Sequence, residues 1–217
     1  MNLKSFFIKC IFLSLTSSVC YGFNTSVTVQ DINGKNAADI VVFLTPIEGQ
    51  PVTKSNHQVI ISQSHKTFSP YISVTQSGNP LIFSNRDDIT HHIYSTGNEE
   101  AFAFTIKPGQ EINQAVNKAS EIAMGCNVHD WMSGHLMVLD TPYFTKTASN
   151  GKAVLATQLP GKYQLTLWHP QLLNATNRQS LPISINSDQN ITVKLRSKMA
   201  RIPEQKSSGD FDFLSDY

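Results

Sequence analysis

Cys126-Asn127-Val128-His129-Asp130-Trp131-Met132 is followed, after three residues, by the apolar stretch 136–139, which reads as a returning strand. The segment therefore reads as a tight loop between two strands. Outward from it, short apolar alternations recur at 26–29, 40–44, 59–61, 72–74, 81–83, 93–95, 162–168 and 191–195. Turn residues punctuate them: Asn33-Gly34, Ser77-Gly78-Asn79-Pro80, Lys107-Pro108-Gly109, Ser149-Asn150-Gly151 and Leu159-Pro160-Gly161. The one stretch that tempts a helical reading, 112–122, lacks a clean apolar stripe. Many short strands without long amphipathic helices must bury sheet against sheet, so the expected fold class is an all-β sandwich.

The loop carries chemistry as well as fold. A thiol, an imidazole and a thioether spaced C-x2-H-x2-M can turn toward one point. A second imidazole from a remote strand would complete two His, one Cys and a weak axial Met, a ligand set suited to copper in an electron-transfer centre. That imidazole has a candidate in Asn85-Arg86-Asp87-Asp88-Ile89-Thr90-His91-His92-Ile93-Tyr94-Ser95. Side chains alternate across a strand, so His91, Ile93 and Ser95 share one face while His92 and Tyr94 share the other, and only one of the two histidines can face the site.

The N-terminus points to export. Lys4 and Lys9 flank and interrupt the start of an apolar run over 6–15, too short for a bilayer span, which reads as a secretory signal peptide over residues 1–22. Cleavage near Cys20 or Gly22 would remove Cys10 and Cys20 and leave Cys126 alone. An unpaired thiol in an oxidising compartment is buried, ligated or reactive, and ligation accounts for it most economically. About 195 residues would remain, enough for one large or two small domains. Losing Lys4 and Lys9 takes the formal net charge from +1 to about −1, which offers no strong field for nucleic acid or a membrane. No Gly-rich phosphate loop and no heptad pattern is present. Residues 198–217 keep no sustained period and read as a mobile tail.

Other candidate ligands read less well. Met124 and Met137 read as core. His135 is a rival because it lies close in sequence, and a third imidazole would favour zinc or a different copper geometry. His57 and His65 sit in a polar connection, and His169, in Leu167-Trp168-His169-Pro170, reads as the cap of a strand end. Trp131 either offers a small apolar docking edge or folds back over the site.

Asn85 six residues before His91, followed by the C-x2-H-x2-M loop, resembles the cupredoxins, and the short loop is most similar to that of amicyanin. The longer stretches Gly125-Cys126-Asn127-Val128-His129-Asp130-Trp131-Met132-Ser133-Gly134 and Asp140-Thr141-Pro142-Tyr143-Phe144 resemble bacterial proteins labelled methylamine utilisation or plastocyanin-like. The resemblance implies a Greek-key β-sandwich in which His91 and His129 are nitrogen ligands, Cys126 the thiolate and Met132 the axial thioether. His92 stands where such proteins often have an Asn that braces the Cys loop, and the expectation is that its ring N–H bonds a loop carbonyl instead. Ser149 to Trp168 resembles the carboxypeptidase-regulatory or transthyretin-like sandwich, and residues 27–44 resemble the opening hairpin of that fold. The expected layout is a small sandwich from 24–50 and 141–197, interrupted by a copper domain at 57–140.

These readings imply an exported type 1 copper protein, periplasmic or secreted from a bacterium, that carries single electrons between small redox proteins. It is not expected to be an enzyme. It should have no nucleic-acid partner and no transmembrane segment after cleavage. The alternative is a copper- or zinc-binding storage, delivery or partner-binding module without electron transfer.

Overall fold

The computed structural model describes residues 22–96 and 100–205, and every regular element in them is a strand. The signal peptide expected over 1–22 lies, except for Gly22, outside the described residues, as do positions 206–217 of the expected tail. The chain opens with β1 (Phe23–Gln30) and β2 (Val41–Pro46). Then come β3 (Val59–Ser64), β4 (Thr67–Ser69), β5 (Ile72–Gln76), β6 (Pro80–Asn85) and β7 (His91–Thr96). They are followed by β8 (Ala103–Ile106), β9 (Glu111–Ala115), β10 (Ser120–Cys126) and β11 (His129–Leu139). The last five are β12 (Phe144–Lys146), β13 (Lys152–Thr157), β14 (Gly161–Trp168), β15 (Arg178–Ile185) and β16 (Gln189–Lys194).

Four sheets result, ordered β13-β1-β16, β12-β2-β14-β15, β5-β11-β10-β7-β8 and β4-β3-β6-β9. The first two use only strands up to Pro46 and from Phe144 onward; the other two use only strands from Val59 to Leu139. β1 lies antiparallel to β13 and parallel to β16, while β5 lies parallel to β11 and β3 parallel to β6. Parallel neighbours need crossovers, so the sheets are joined by Greek-key-type connections rather than by a simple meander.

Three apolar clusters lie between successive sheets and stack them as four layers. Val42, Leu44, Tyr163, Leu165 and Leu167 fill the first contact. Val41, Phe43, Ile72, Met137, Leu139 and Trp168 fill the middle one. Ile61, Phe83, Ile93, Met124, Leu136 and Val138 belong to the third. This explains why 41–44 and 136–139 read as continuous apolar runs: successive side chains alternate, and both faces of β2 and β11 are covered. Met137 is core, at the junction between the two pairs of sheets.

The strands that escaped the apolar pattern are mostly edges. β4, β8, β9, β12 and β15 each end a sheet, have one hydrogen-bonded neighbour and carry polar residues; β15 even holds Pro182, which an edge tolerates. The segment 112–122 divides into the end of β9, a connection and the start of β10.

The C-terminal segment departs from expectation over its first part. Leu173 N–H donates to Lys198 O at 2.8 Å, Ala200 N–H to Gln171 O at 2.8 Å, and Met199 packs on the outer core. Backbone bonding and one partly buried apolar side chain tie down residues that composition alone marked as mobile.

His169 follows β14 and caps its end as expected, its Nδ1 accepting the N–H of Gln171 at 3.1 Å. Its Nε2 is buried without a partner. Burial, with the charges of His135 and Lys146 adding to it and Asp39 opposing, pushes the imidazole down to about 4. The unfolded ring takes up a proton near 6.5, so stability is whole above that pH and falls as pH drops toward about 4. The loss at the end of that window is on the order of 3 kcal/mol. Urea unfolding of the wild type and His169→Gln at pH 7 and pH 4.5 should show a shallower acid slope in the variant; equal slopes would exclude His169 as a source.

Candidate metal centre

Cys126 closes β10, and the β10–β11 ladder slips there. Gly125 pairs with Ser133 but Cys126 pairs with His129, so residues 130–132 bulge from β11. On β7 the alternation falls as the sequence requires, with His91 and Ile93 buried and His92 and Tyr94 partly exposed. β7 pairs with β10 so that Ile93 lies opposite Cys126, which brings His91 to the same end of the sandwich as the bulge.

There the donor atoms of His91, Cys126 and His129 all lie within 4.8 Å of one another, and all three residues are buried. Cys126 Sγ is 3.6 Å from His91 Nδ1 and 3.8 Å from His129 Nδ1. The rings of His91 and His129 are tilted at 5.2 Å, and Trp131 packs on His129 at 5.2 Å. Met132 is 1% exposed and belongs to the same apolar cluster as Cys126.

The free nitrogen of His91 is set by Asp87. His91 Nε2 lies 2.9 Å from Asp87 Oδ2; a carboxylate there accepts a hydrogen bond from Nε2–H and leaves the Nδ1 lone pair facing the sulfur, the tautomer a metal needs. The same carboxylate accepts the N–H of His65 at 2.6 Å and of Lys66 at 3.0 Å. Those two residues turn the β3–β4 hairpin at φ of 55° and 56°. Asn85 braces the loop that carries Asp87: its amide donates to Ile89 O at 2.7 Å and Ile106 O at 3.1 Å, and its carbonyl accepts the N–H of Asp87 at 3.0 Å.

Charge is distributed accordingly. Burial would raise the Cys126 thiol, but His91 and the backbone donors at Val128 and His92 outweigh it and hold the thiol below its ordinary value. Burial would lower His91, but Cys126 and Asp87 overcome it and raise that imidazole. His129 is lowered, first by burial and then by the charges of His91 and Lys66. For Asp87, burial is again the largest influence and raises it; bonds from Lys66, His91 and His65 bring it below the usual carboxylate range.

The other histidines lie apart from this group. His135 packs edge-on to Tyr71 at 5.2 Å and faces Trp168 at 6.3 Å, on the face of β11 turned toward the second pair of sheets. His57 and His65 are exposed. His92 meets an amide where a loop carbonyl was expected: its Nδ1 takes the side-chain amide of Asn127 at 2.5 Å, and the backbone N–H of Asn127 donates to His92 O at 3.0 Å. The loop supplies the donors and β7 the acceptors, so the brace runs in the reverse sense. Trp131 is half-buried, its Nε1 enclosed without a partner, and lies against the ring of His129 rather than projecting freely.

Three contributors went unread in the sequence. Asp87 sits four residues before His91, a carboxylate at hydrogen-bonding reach across a tight turn, and that spacing was a usable signal. Lys66 had none, because it comes from a distant hairpin. Tyr94 covers Gly125 so closely that a Cβ there would stand 2.6 Å from its Cζ and Oη, which explains glycine immediately before the thiol.

No known protein family matches the chain, and no curated protein does. Solved structures resemble it over part of its length. A copper-containing nitrite reductase from Thermus scotoductus SA-01 is 18% identical, over 43% of this chain and 25% of its own, with a TM-score of 0.37. A mutant of amicyanin in its oxidized state is 16% identical over 39% of this chain and 85% of its own, at 0.36. A purple cupredoxin from Nitrosopumilus maritimus is 20% identical over 37% of this chain and 97% of its own, at 0.33. Only a quarter of the nitrite reductase is spanned, and likenesses of this size carry no ligand, partner or activity to this chain. Among the described residues, no helix is long and apolar enough to cross a membrane.

Asp87→Asn removes the anionic acceptor for His91 while keeping a carbonyl for one of the two hairpin N–H groups. The affinity of the full chain for a thiophilic cation should fall about 10- to 100-fold, read by competition with a chelator, with circular dichroism unchanged. An unaltered affinity would mean that Asp87 does not orient His91.

Proposed function

We propose that this chain is an exported type 1 copper protein that carries one electron at a time between small redox proteins outside the cytoplasm. The meeting of His91 Nδ1, Cys126 Sγ and His129 Nδ1 within 4.8 Å in buried surroundings carries this reading. Met132, buried beside Cys126 in the core, is the proposed fourth donor. One thiolate, two imidazoles and a thioether suit a soft or borderline cation and suit calcium or magnesium poorly. Copper bound there would supply a Cu(II)/Cu(I) couple.

The chain's own residues do the rest. Asp87 and Asn85 fix His91; the ladder slip fixes Cys126 and His129 relative to each other; the apolar cluster keeps water from the sulfur. A cage held by strands alters little when its charge changes, which favours fast electron exchange. Four protein donors leave no open position for a substrate, which favours a carrier over an enzyme. Val128, 56% exposed between Cys126 and His129, offers a small apolar contact of the kind transient redox encounters use. We read residues 57–140 as the metal-binding sandwich and 24–50 with 141–197 as a second sandwich it interrupts, because no described ladder joins the two sets of strands. Export is supported by Lys4, Lys9 and the apolar run 6–15.

Copper-loaded mature chain should be intensely coloured through charge transfer from Cys126, and Cys126→Ser should abolish the colour. It should also cycle reversibly at an electrode. A colourless Cu(II) form, or a chain that takes zinc in preference and never cycles, would replace this reading with the storage or delivery one.

A further inference from the structure

After β16 the chain does not stop at the outermost sheet. Leu195 N–H donates to Gln30 O at 2.7 Å, Arg196 N–H to the side chain of Gln179 at 2.7 Å, and Met199 bridges to Leu172. Residues 201–204 then run exposed, and Gln205 turns half-buried onto the metal-site sandwich. Its Oε1 accepts the N–H of Ser133 at 3.3 Å, and its Nε2 donates to Ser133 Oγ at 3.0 Å and to Pro203 O at 3.5 Å.

We propose that Gln205 is a positioning residue for the ligand loop, its amide clamping Ser133 and thereby setting where Met132 stands. The inference rests on the copper reading above and names a residue through which the C-terminal segment acts on that site. Ser133 is where the β10–β11 ladder resumes after the bulge, opposite Gly125. It is also the residue next to Met132, so only one peptide unit separates the clamped N–H from the Met132 Cα. Ser133 and Met132 point to opposite faces, Met132 into the core and Ser133 outward. The clamp thus grips the loop from outside, at its hinge, without touching any ligand.

Both bonds come from one planar amide, its carbonyl taking the backbone donor and its amine giving to the hydroxyl. The backbone bond fixes the hinge, and the hydroxyl bond fixes which way the amide faces. Gln205→Glu keeps an acceptor for the Ser133 N–H, whereas Gln205→Ala keeps neither bond. Arg201, exposed in the same segment, is a control position.

The test uses the full mature chain in two states. Without metal, Ser133 amide hydrogen exchange followed by NMR should quicken by about fivefold in Gln205→Ala, the factor expected for one ordinary hydrogen bond, and should stay near wild type in Gln205→Glu and Arg201→Ala. With copper, Gln205→Ala should alter the visible band pattern and raise the reduction potential, because a loosened axial donor supports the more highly charged oxidation state less. Gln205→Glu, which keeps an acceptor for the Ser133 N–H, should restore the band pattern. Unchanged Ser133 exchange in Gln205→Ala, or faster exchange with an unchanged spectrum and potential, overturns the proposal and leaves the copper reading intact. A wild-type chain that forms no coloured centre overturns both.

Discussion

The slip between Gly125 and Cys126 in the β10–β11 ladder is the constraint on which the site depends. Residues 129 and 132 are an odd number apart, so strict alternation along β11 would put their side chains on opposite faces. His129 and Met132 are nevertheless both buried. The unmatched residues of the bulge add twist and re-aim the chain, so that the imidazole comes back over the sulfur while Met132 stays in the core. Gly125 permits the slip to happen under Tyr94, whose ring occupies the space a side chain would need.

A thiol and two imidazoles brought this close in an apolar setting are expensive unless each has a partner. The partners form a short chain: Cys126 with His91, His91 with Asp87, Asp87 with the hairpin N–H groups of His65 and Lys66. Each bond fixes the next side chain, and the last ties the strand that carries His91 to a different sheet. His129 has a different solution. Burial, then the charges of His91 and Lys66, lower its pKa, against a smaller opposing effect of Asp87. The two imidazoles are alike in their distance to sulfur and unlike in electrostatics.

The segments that bring His91, Cys126 and His129 together were the most legible part of the chain, because C-x2-H-x2-M and the His91–His92 alternation state their geometry in residue spacing. Central strands were legible for a related reason. Where both faces are covered, as at 41–44 and 136–139, every residue must be apolar. Edge strands such as β9 and β15 were not, since one free edge and one wet face allow Glu111, Gln114 or Pro182 without cost to the core. The orienting role of Asp87, the reversed hydrogen bond between Asn127 and His92, and the docking of residues 198–205 depend on which elements meet in space. Local pattern has no access to that. Residues 198–200 misled for the same reason: one Met and a few backbone bonds hold them, too few to impose a period.

The middle apolar layer joins the second pair of sheets to the pair that carries the site. β10 and β11 are interior strands of their sheet, and the second pair of sheets covers β11's outer face at Met137 and Leu139 through Val41, Phe43 and Trp168. On β10 the outward residues are Glu121, Ala123 and Gly125. Glu121 accepts the indole N–H of Trp168 at 2.9 Å and the guanidinium of Arg178. That ion pair is well exposed on both sides and adds little by itself; the buried indole fixes the junction. Strands enclosed on both faces open less readily than strands with one wet face. Cys126 therefore closes a strand that is interior to its sheet, and loop residues 127, 128 and 130 are left exposed above it.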